Sequence, residues 1–235
     1  MKYFSHFTLN ILYRIGGDYA GRSIMSVGIK ARYLVLAFVP YLILYFLLQS
    51  LITVNQYNLL TFIDTQIPFI PQFVWIYHTL IPVIIATGLV FFKRKELFLS
   101  MVYANLAAGA ILCLFYVLFP SFYPREQFVD HHSLSGILVN LTRLVDSAHN
   151  TFPSGHVTFS WLLALFVGLS QKGKQCSLIK GAYYVWALLI AVSTLTLKQH
   201  YLIDVISGMT LAFILFYTFK YIDFNPQSLD FQKKL

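Results

Sequence analysis

The sequence predicts an all-α, polytopic membrane protein with six transmembrane helices and an amphipathic helix in its long outer loop. Three observations carry this. Of 235 residues, 58% are hydrophobic and only 11% charged, against roughly 25% charged in soluble domains. The apolar residues fall in blocks of about 20, the length that crosses some 30 Å of hydrocarbon as a helix. The basic residues cluster at alternate ends of those blocks. The first two observations exclude a soluble globular domain and a disordered chain, and the third gives an orientation.

The first span covers residues 33–54, a run without a charge. The polar, basic Met1–Arg32 ahead of it lacks the short apolar core and small-residue cleavage site of a signal peptide. The second span, 69–92, begins after Pro68 and ends at Lys93-Arg94-Lys95-Glu96; the third, 97–119, stops at Pro120. In the Pro120–Phe152 loop, Leu134, Ile137, Leu138, Leu141, Leu144 and Val145 recur at helical spacing among polar residues. They predict an amphipathic helix, either lying on the membrane interface over the site or packed on the bundle. The remaining spans are 156–170, which is short, 178–197 and 201–219. Helices let each segment satisfy its own backbone in lipid. No repeat, linker or low-complexity tract divides the chain, so one membrane-embedded domain over residues 1–235 is expected.

Six spans put both termini on one side, and fourteen of the seventeen Lys and Arg lie there. The positive-inside rule makes that side cytoplasmic. The expected location is a bacterial inner membrane, with the long loop on the periplasmic face. The net charge of +8 then reports orientation, and no nucleic-acid partner is expected. Only Arg125, Arg143 and Lys198 belong to the outer side. Cys113 and Cys176 have no metal-ligand spacing. His131 and His132 beside Asp130, His149, and His78 in the second span come without a complete ligand set, so they are read as loop or packing residues and no metal is expected. Asn105 and Gly109 fit helix–helix contact.

Asp204 is the one carboxylate within a predicted span, where an ionisable group is costly. His200 precedes it by four residues, which on a helix places both on one face. The carboxylate can then hold one imidazole nitrogen and leave the other as nucleophile or base. A packed polar pair fits the same spacing. Pro153-Ser154-Gly155-His156 marks the start of the fourth span. A turn of this composition before a helix offers backbone N–H groups, chiefly at Ser154 and Gly155, to an anion, and His156 could protonate a leaving group held there. A plain turn into a helix is the alternative. Together these elements suit attack on phosphorus by one imidazole and protonation of the leaving oxygen by the other.

At these residues the sequence resembles the type-2 phosphatidic acid phosphatase superfamily of membrane lipid phosphatases and phosphotransferases. Pro153–His156 matches its Pro-Ser-Gly-His motif in full, and Ser193, His200 and Asp204 match its Ser-Arg-x5-His-x3-Asp motif. The resemblance implies a phosphohistidine on His200, oriented by Asp204, with His156 as general acid and no cofactor. The chain departs from the pattern at Thr194, where the family has Arg. The Lys-x6-Arg-Pro motif is also degraded, with Leu118 in the Lys position and Arg125 followed by Glu126. Lys198 and Arg143 are the candidates, with Arg125, to bind phosphate in place of the missing cations. Lys198-Gln199-His200-Tyr201, with Asp146 ahead of Asn150–Pro153, resembles the branch that includes sphingomyelin and inositol-phosphoceramide synthases.

The leading expectation is therefore a phosphatase in the bilayer. It would act on a lipid phosphate of the phosphatidic acid, phosphatidylglycerol phosphate or lipid A class. A lipid phosphotransferase shares the nucleophile and is the first alternative. A non-catalytic carrier using the His–Asp pair is the second, although the polar residues gather at one membrane face rather than along a path through it.

Overall fold

The computed structural model describes residues 25–52, 57–125, 127, 129–130, 132–170 and 175–220, the side chains of 175 and 176 excepted. Lys2, Arg14, Arg22, Lys172, Lys174, Lys233, Lys234, Glu126, His131 and the Cys176 side chain lie outside the described residues. The chain is mostly helical. Helix α1 is Val27–Leu51, followed by strand β1, Tyr57–Asn58, and a short helix α2, Phe62–Gln66. Helix α3 is the interrupted segment Pro71–Phe91 and α4 is Lys95–Leu118. Strand β2, Ser121–Phe122, and α5, Leu134–Val145, occupy the long loop. Helices α6, Gly155–Ser170, α7, Gln175–Thr196, and α8, Leu202–Phe219, complete the bundle.

Among the described residues, five helices, α1, α3, α4, α7 and α8, are long and apolar enough to cross a membrane. The sixth expected span, α6, has 16 residues and falls short of that length. It is the centre of the bundle, packed by α4, α7, α8 and the middle of α3, while α1 packs outside against α4 and the end of α3. The apolar side chains of α6 meet protein, as with Val157, Leu162, Ala164 and Phe166, all fully buried. Those of α1 largely face outward, as lipid-facing residues do.

Helix α1 begins six residues before the expected span. The Ser26 hydroxyl caps it by accepting from Ile29 N. Lys30 lies inside the helix and is buried, its ammonium donating to Leu89 O and Phe92 O. A cation that sequence reading places in a basic leader instead clamps α1 to the end of α3.

The second expected span is not one regular helix. It starts as a 3₁₀ turn, Pro71–Phe73, breaks at His78 and Thr79, and ends in a π turn, Thr87–Phe91. Helix α5 forms as its spacing predicts, capped by Ser133. It turns Gly136, Val139 and Thr142 inward and leaves Leu134, Leu141 and Leu144 on the outside of the bundle. Trp75 Nε1 donates to Ser135 Oγ, and His78 Nε2 pairs with Thr142 Oγ1, so α3 holds α5 in place. Neither the parallel pairing of β1 with β2, Tyr57 opposite Ser121, nor α2 was expected from sequence.

Candidate active site

Two segments carry the site, and the loop strands position both. Strand β2 fixes the approach to α6: Ser121 Oγ accepts from Phe152 N and pairs with Thr151 Oγ1, and Tyr123 N donates to Ala148 O. The junction from α7 to α8 is fixed from the other side. Lys198 takes a left-handed backbone, φ 57°, which for a side chain of this size is strained by roughly 1–2 kcal/mol. The turn directs the N–H groups of Gln199 and His200 back to Thr194 O. Tyr201 donates to Asn58 Oδ1 of β1 and stacks on Tyr123, ring centres 4.3 Å apart. Leu202 N, at the start of α8, donates to Asp64 Oδ1 of α2.

His200 and Asp204 do meet, though not as successive turns of one helix. His200 stands before α8, and Asp204 is the third residue of its first turn, accepting from Tyr201 N at 2.9 Å. His200 Nδ1 lies 2.8 Å from Thr151 O and 3.4 Å from Asp204 Oδ2. A carbonyl oxygen only accepts, so Nδ1 carries a hydrogen, and in the neutral ring that leaves the lone pair on Nε2. Asp204 is fully buried and stands on the Nδ1 side of the ring.

His156 is the second residue of α6, its ring centre 6.0 Å from that of His200 and stacked on Tyr77 at 4.2 Å. A Cβ on Gly155 beside it would lie 2.6 Å from Tyr41 Oη, the end of a side chain. Gly208 of α8 is required by close approach to backbone, with a Cβ 2.6 Å from Ser154 O. Both histidines line a cavity of about 370 Å³ between α1, α3 and α6, together with Gly155, Asp146 and Asn150.

The other sequence candidates are placed differently. Ser154 is fully buried, its N–H donates to Asp204 O, and its hydroxyl accepts from Val157 N. The expected anion turn therefore has one N–H already engaged. Ser154 docks α6 on α8, and Gly155 alone of the pair lines the cavity. Arg125 donates to Asp146 O, Ser147 O and Gln199 Oε1, which ties the loop to the α7–α8 junction. Arg143 reaches Gln127 and covers the Phe69 ring at 5.4 Å. Lys198 is buried, with Nζ on Asp64 O and Ile67 O. Burial lowers the Lys198 ammonium from its usual range, and the nearby Asp64 partly offsets this. None of these three cations lines the cavity. Thr194 is fully buried with its hydroxyl on Ala191 O, and Leu118 faces outward, 70% exposed. Neither position supplies a substitute for the cation the family pattern has there.

Sequence reasoning missed the partners of Asp146. One carboxylate oxygen accepts from Tyr45 Oη of α1 and the other from Tyr77 Oη of α3. It missed Asp64 as the acceptor at the start of α8 as well; the signal for that was the Thr61–Asp64 capping box. Among the described residues, no three His, Cys, Asp or Glu side chains cluster as a metal site.

Two histidines thus line a cavity in a helical bundle, with the buried Asp204 beside one of them. A sequence model of the PAP2 superfamily matches residues 34–218, and the chain belongs to that superfamily. It is thus a phosphatase- or phosphotransferase-type membrane lipid enzyme. No curated protein and no solved structure matches it significantly.

Proposed function

We propose that the chain, as one membrane-embedded domain, breaks the phosphate ester of a membrane lipid through a covalent phosphohistidine on His200, and that water then releases the phosphoryl group. The observation that carries this is the hydrogen bond from His200 Nδ1 to Thr151 O, which leaves Nε2 as a free nucleophile beside the buried Asp204. As Nε2 attacks phosphorus, the ring becomes cationic and Asp204 stabilises it. His156 gives a proton to the leaving lipid oxygen in the first step and takes one from water in the second. None of this requires a metal. The charge asymmetry of the sequence supports cytoplasmic termini in a bacterial inner membrane and a site on the periplasmic face.

A second reading, transfer of the phosphoryl group to an alcohol, is favoured by the absence of Arg125, Arg143 and Lys198 from the cavity lining. A phosphomonoester dianion needs more cations than a monoanionic diester.

The test supplies detergent-purified protein with phosphatidic acid, phosphatidylglycerol phosphate, lipid A, and choline- or inositol-phosphate lipids with an acceptor. Phosphate release and head-group exchange are both followed. His200→Ala and His156→Ala are expected to lose the activity, and retention of every activity in both overturns the proposal. Transport with no change in the lipid would instead mark a carrier. A reporter in the Pro120–Phe152 loop is expected outside the cytoplasm.

A further inference from the structure

The two histidines are held by different means. His200 is fixed at the edge of its ring, where Nδ1 donates to Thr151 O at 2.8 Å and lies 3.4 Å from Asp204 Oδ2. Neither ring nitrogen of His156 has a hydrogen-bond partner among the described residues, whereas the rings of His78 and His200 each have one. The backbone of α6 sets where the His156 Cβ stands but not the plane of the imidazole, because that terminal torsion is broad and roughly two-fold. A general acid donates along an N–H that lies in the ring plane. A ring left to swing would aim its proton in no fixed direction.

What meets the His156 ring is another ring. Tyr77 lies against its face, centres 4.2 Å apart and planes 27° from parallel, while His200 is 6.0 Å away and tilted by 59°. A partner on one face fixes the plane of the imidazole and leaves both nitrogens for the substrate, which a hydrogen bond to protein would not. The same face attracts a cation, the state His156 takes when it carries the proton it gives. Tyr77 is itself held firmly. It is buried, the last residue of the helical piece Val74–Tyr77 before α3 breaks. Its hydroxyl donates to Asp146 Oδ2 at 2.8 Å, and Tyr45 Oη of α1 donates to the other carboxylate oxygen. The Asp146 backbone is tied as well, its N–H to Thr142 O of α5 and its carbonyl to Arg125. His78, next to Tyr77, pairs with Thr142 Oγ1. Asp146, at the polar end of the cavity, therefore joins α1, α3 and α5 into a frame, and the ring that frame presents to the chemistry is Tyr77.

We propose that Tyr77, clamped by Asp146, is the positioning residue of His156: its ring sets the plane in which His156 delivers a proton to the leaving oxygen. This rests on the phosphohistidine reading given above. In that first step the His200 Nε2–phosphorus bond forms, the bond from phosphorus to the alcohol oxygen breaks, and that oxygen takes the proton of His156. Tyr77 gives up no proton and forms no bond. It acts only on steps that need the His156 proton, so its contribution depends on the leaving group. An alkoxide needs a proton as it departs, whereas a nitrophenolate departs as the anion.

The experiment uses the full chain in detergent micelles and two phosphate monoesters with the same alkyl tail, one of an alkanol and one of a nitrophenol carrying that tail on its ring. Enzyme is in excess over ester, and release of the alcohol or nitrophenolate is read in a single turnover, so only the first step counts. Tyr77→Leu is expected to slow the alkyl ester about 30- to 100-fold, the scale of a catalytic group misplaced by about 1 Å. The same variant should change the nitrophenyl ester by no more than about threefold. Tyr77→Phe keeps the ring and loses the clamp, and Asp146→Asn weakens the clamp alone; each is expected to slow the alkyl ester only about three- to tenfold. Should Tyr77→Leu not fold, these two variants read the same ratio of esters. Equal loss on both esters, the mark of a merely structural role, overturns the positioning role. So does an alkyl rate left unchanged, or a loss in Tyr77→Phe as large as in Tyr77→Leu. The histidine variants test the level beneath. His200→Ala is expected to lose both esters, and release that survives it, or a wild type that releases neither ester, refutes the phosphohistidine reading. His156→Ala is expected to lose the alkyl ester far more than the nitrophenyl ester, and equal loss of the two refutes its role as general acid.

Discussion

Replacing Gly208 with Ala tests how the proposed catalytic histidines are held in register. The added Cβ would stand 2.6 Å from Ser154 O and 3.2 Å from Thr158 Oγ1. Carbon–oxygen contacts of this kind run about 3.3–3.6 Å, so the Ser154 carbonyl must retreat by roughly 0.7–1 Å. It cannot retreat alone. Ser154 N is bonded to Asp204 O at 3.0 Å, and Thr158 Oγ1 bridges Ser154 O and Gly208 O. The shift passes to Gly155 and His156, the next two residues. Overpacking of this size costs about 1–3 kcal/mol, and misplacing a catalytic group by about 1 Å costs on the order of 10²-fold in rate. Steady-state turnover of a lipid substrate in micelles, with thermal unfolding in the same detergent, is the assay. The expected result is kcat down about 10- to 100-fold, KM within about threefold, and a Tm lower by several degrees. Gly88→Ala is the control, because its Cβ meets the side chain of Leu34, Cδ1 at 2.9 Å and Cδ2 at 3.1 Å, rather than backbone. Wild-type turnover in Gly208→Ala, or an equal loss in Gly88→Ala, would refute the reasoning.

Arg125→Gln is expected to act as the loss of a strut rather than of a phosphate clamp. It removes charge-assisted bonds to Asp146 O and Ser147 O, each worth about 1.5–3 kcal/mol, so Tm should fall while KM for the lipid stays unchanged; a raised KM at unchanged Tm contradicts this. Gly181 is exposed on α7, and a Cβ there meets nothing within 4 Å. Gly181→Ala should therefore raise stability by about 0.5–1 kcal/mol through helix propensity, read as a higher Tm. Burial, and then the nearby Arg125 charge, hold the His149 imidazole below its usual pKa. The unfolded chain then takes up a proton that the folded one resists, so stability falls as pH drops through about 6.5 and levels off below the folded pKa. Melting curves between pH 5 and 8 should show that slope flattened in His149→Gln.

The residues read from sequence as chemical were those whose types and spacing are themselves informative. His156 stands at the head of a helix whose Pro-Ser-Gly start is visible in one dimension, and Asp204 is conspicuous as a carboxylate in an apolar run. The expected meeting of His200 with Asp204 holds, but a bend and a helix first turn produce it, because the left-handed turn at Lys198 cannot be read from a pattern of apolar residues. The placing of the cations was not legible. Lys198, Arg125 and Lys30 bind backbone carbonyls, and any residue type supplies those, so no motif marks them. The cavity's polar end was hidden for a different reason. Asp146 meets Tyr45 across 101 positions and Tyr77 across 69, and such contacts follow from how α1 and α3 pack. Helix α6 is read as a short span from its apolar composition, and its place in the middle of the bundle was not legible because that composition is the same whether a helix faces lipid or protein.

The most direct test of the phosphohistidine is to trap it. The enzyme is mixed with a lipid labelled at phosphorus and quenched in alkali, where a phosphoramidate survives, and the labelled peptide is sequenced by mass spectrometry. Label on His200 in the wild type, and none in His200→Ala, is the expected result. Sustained turnover with no label on His200, or label on another residue, would contradict it.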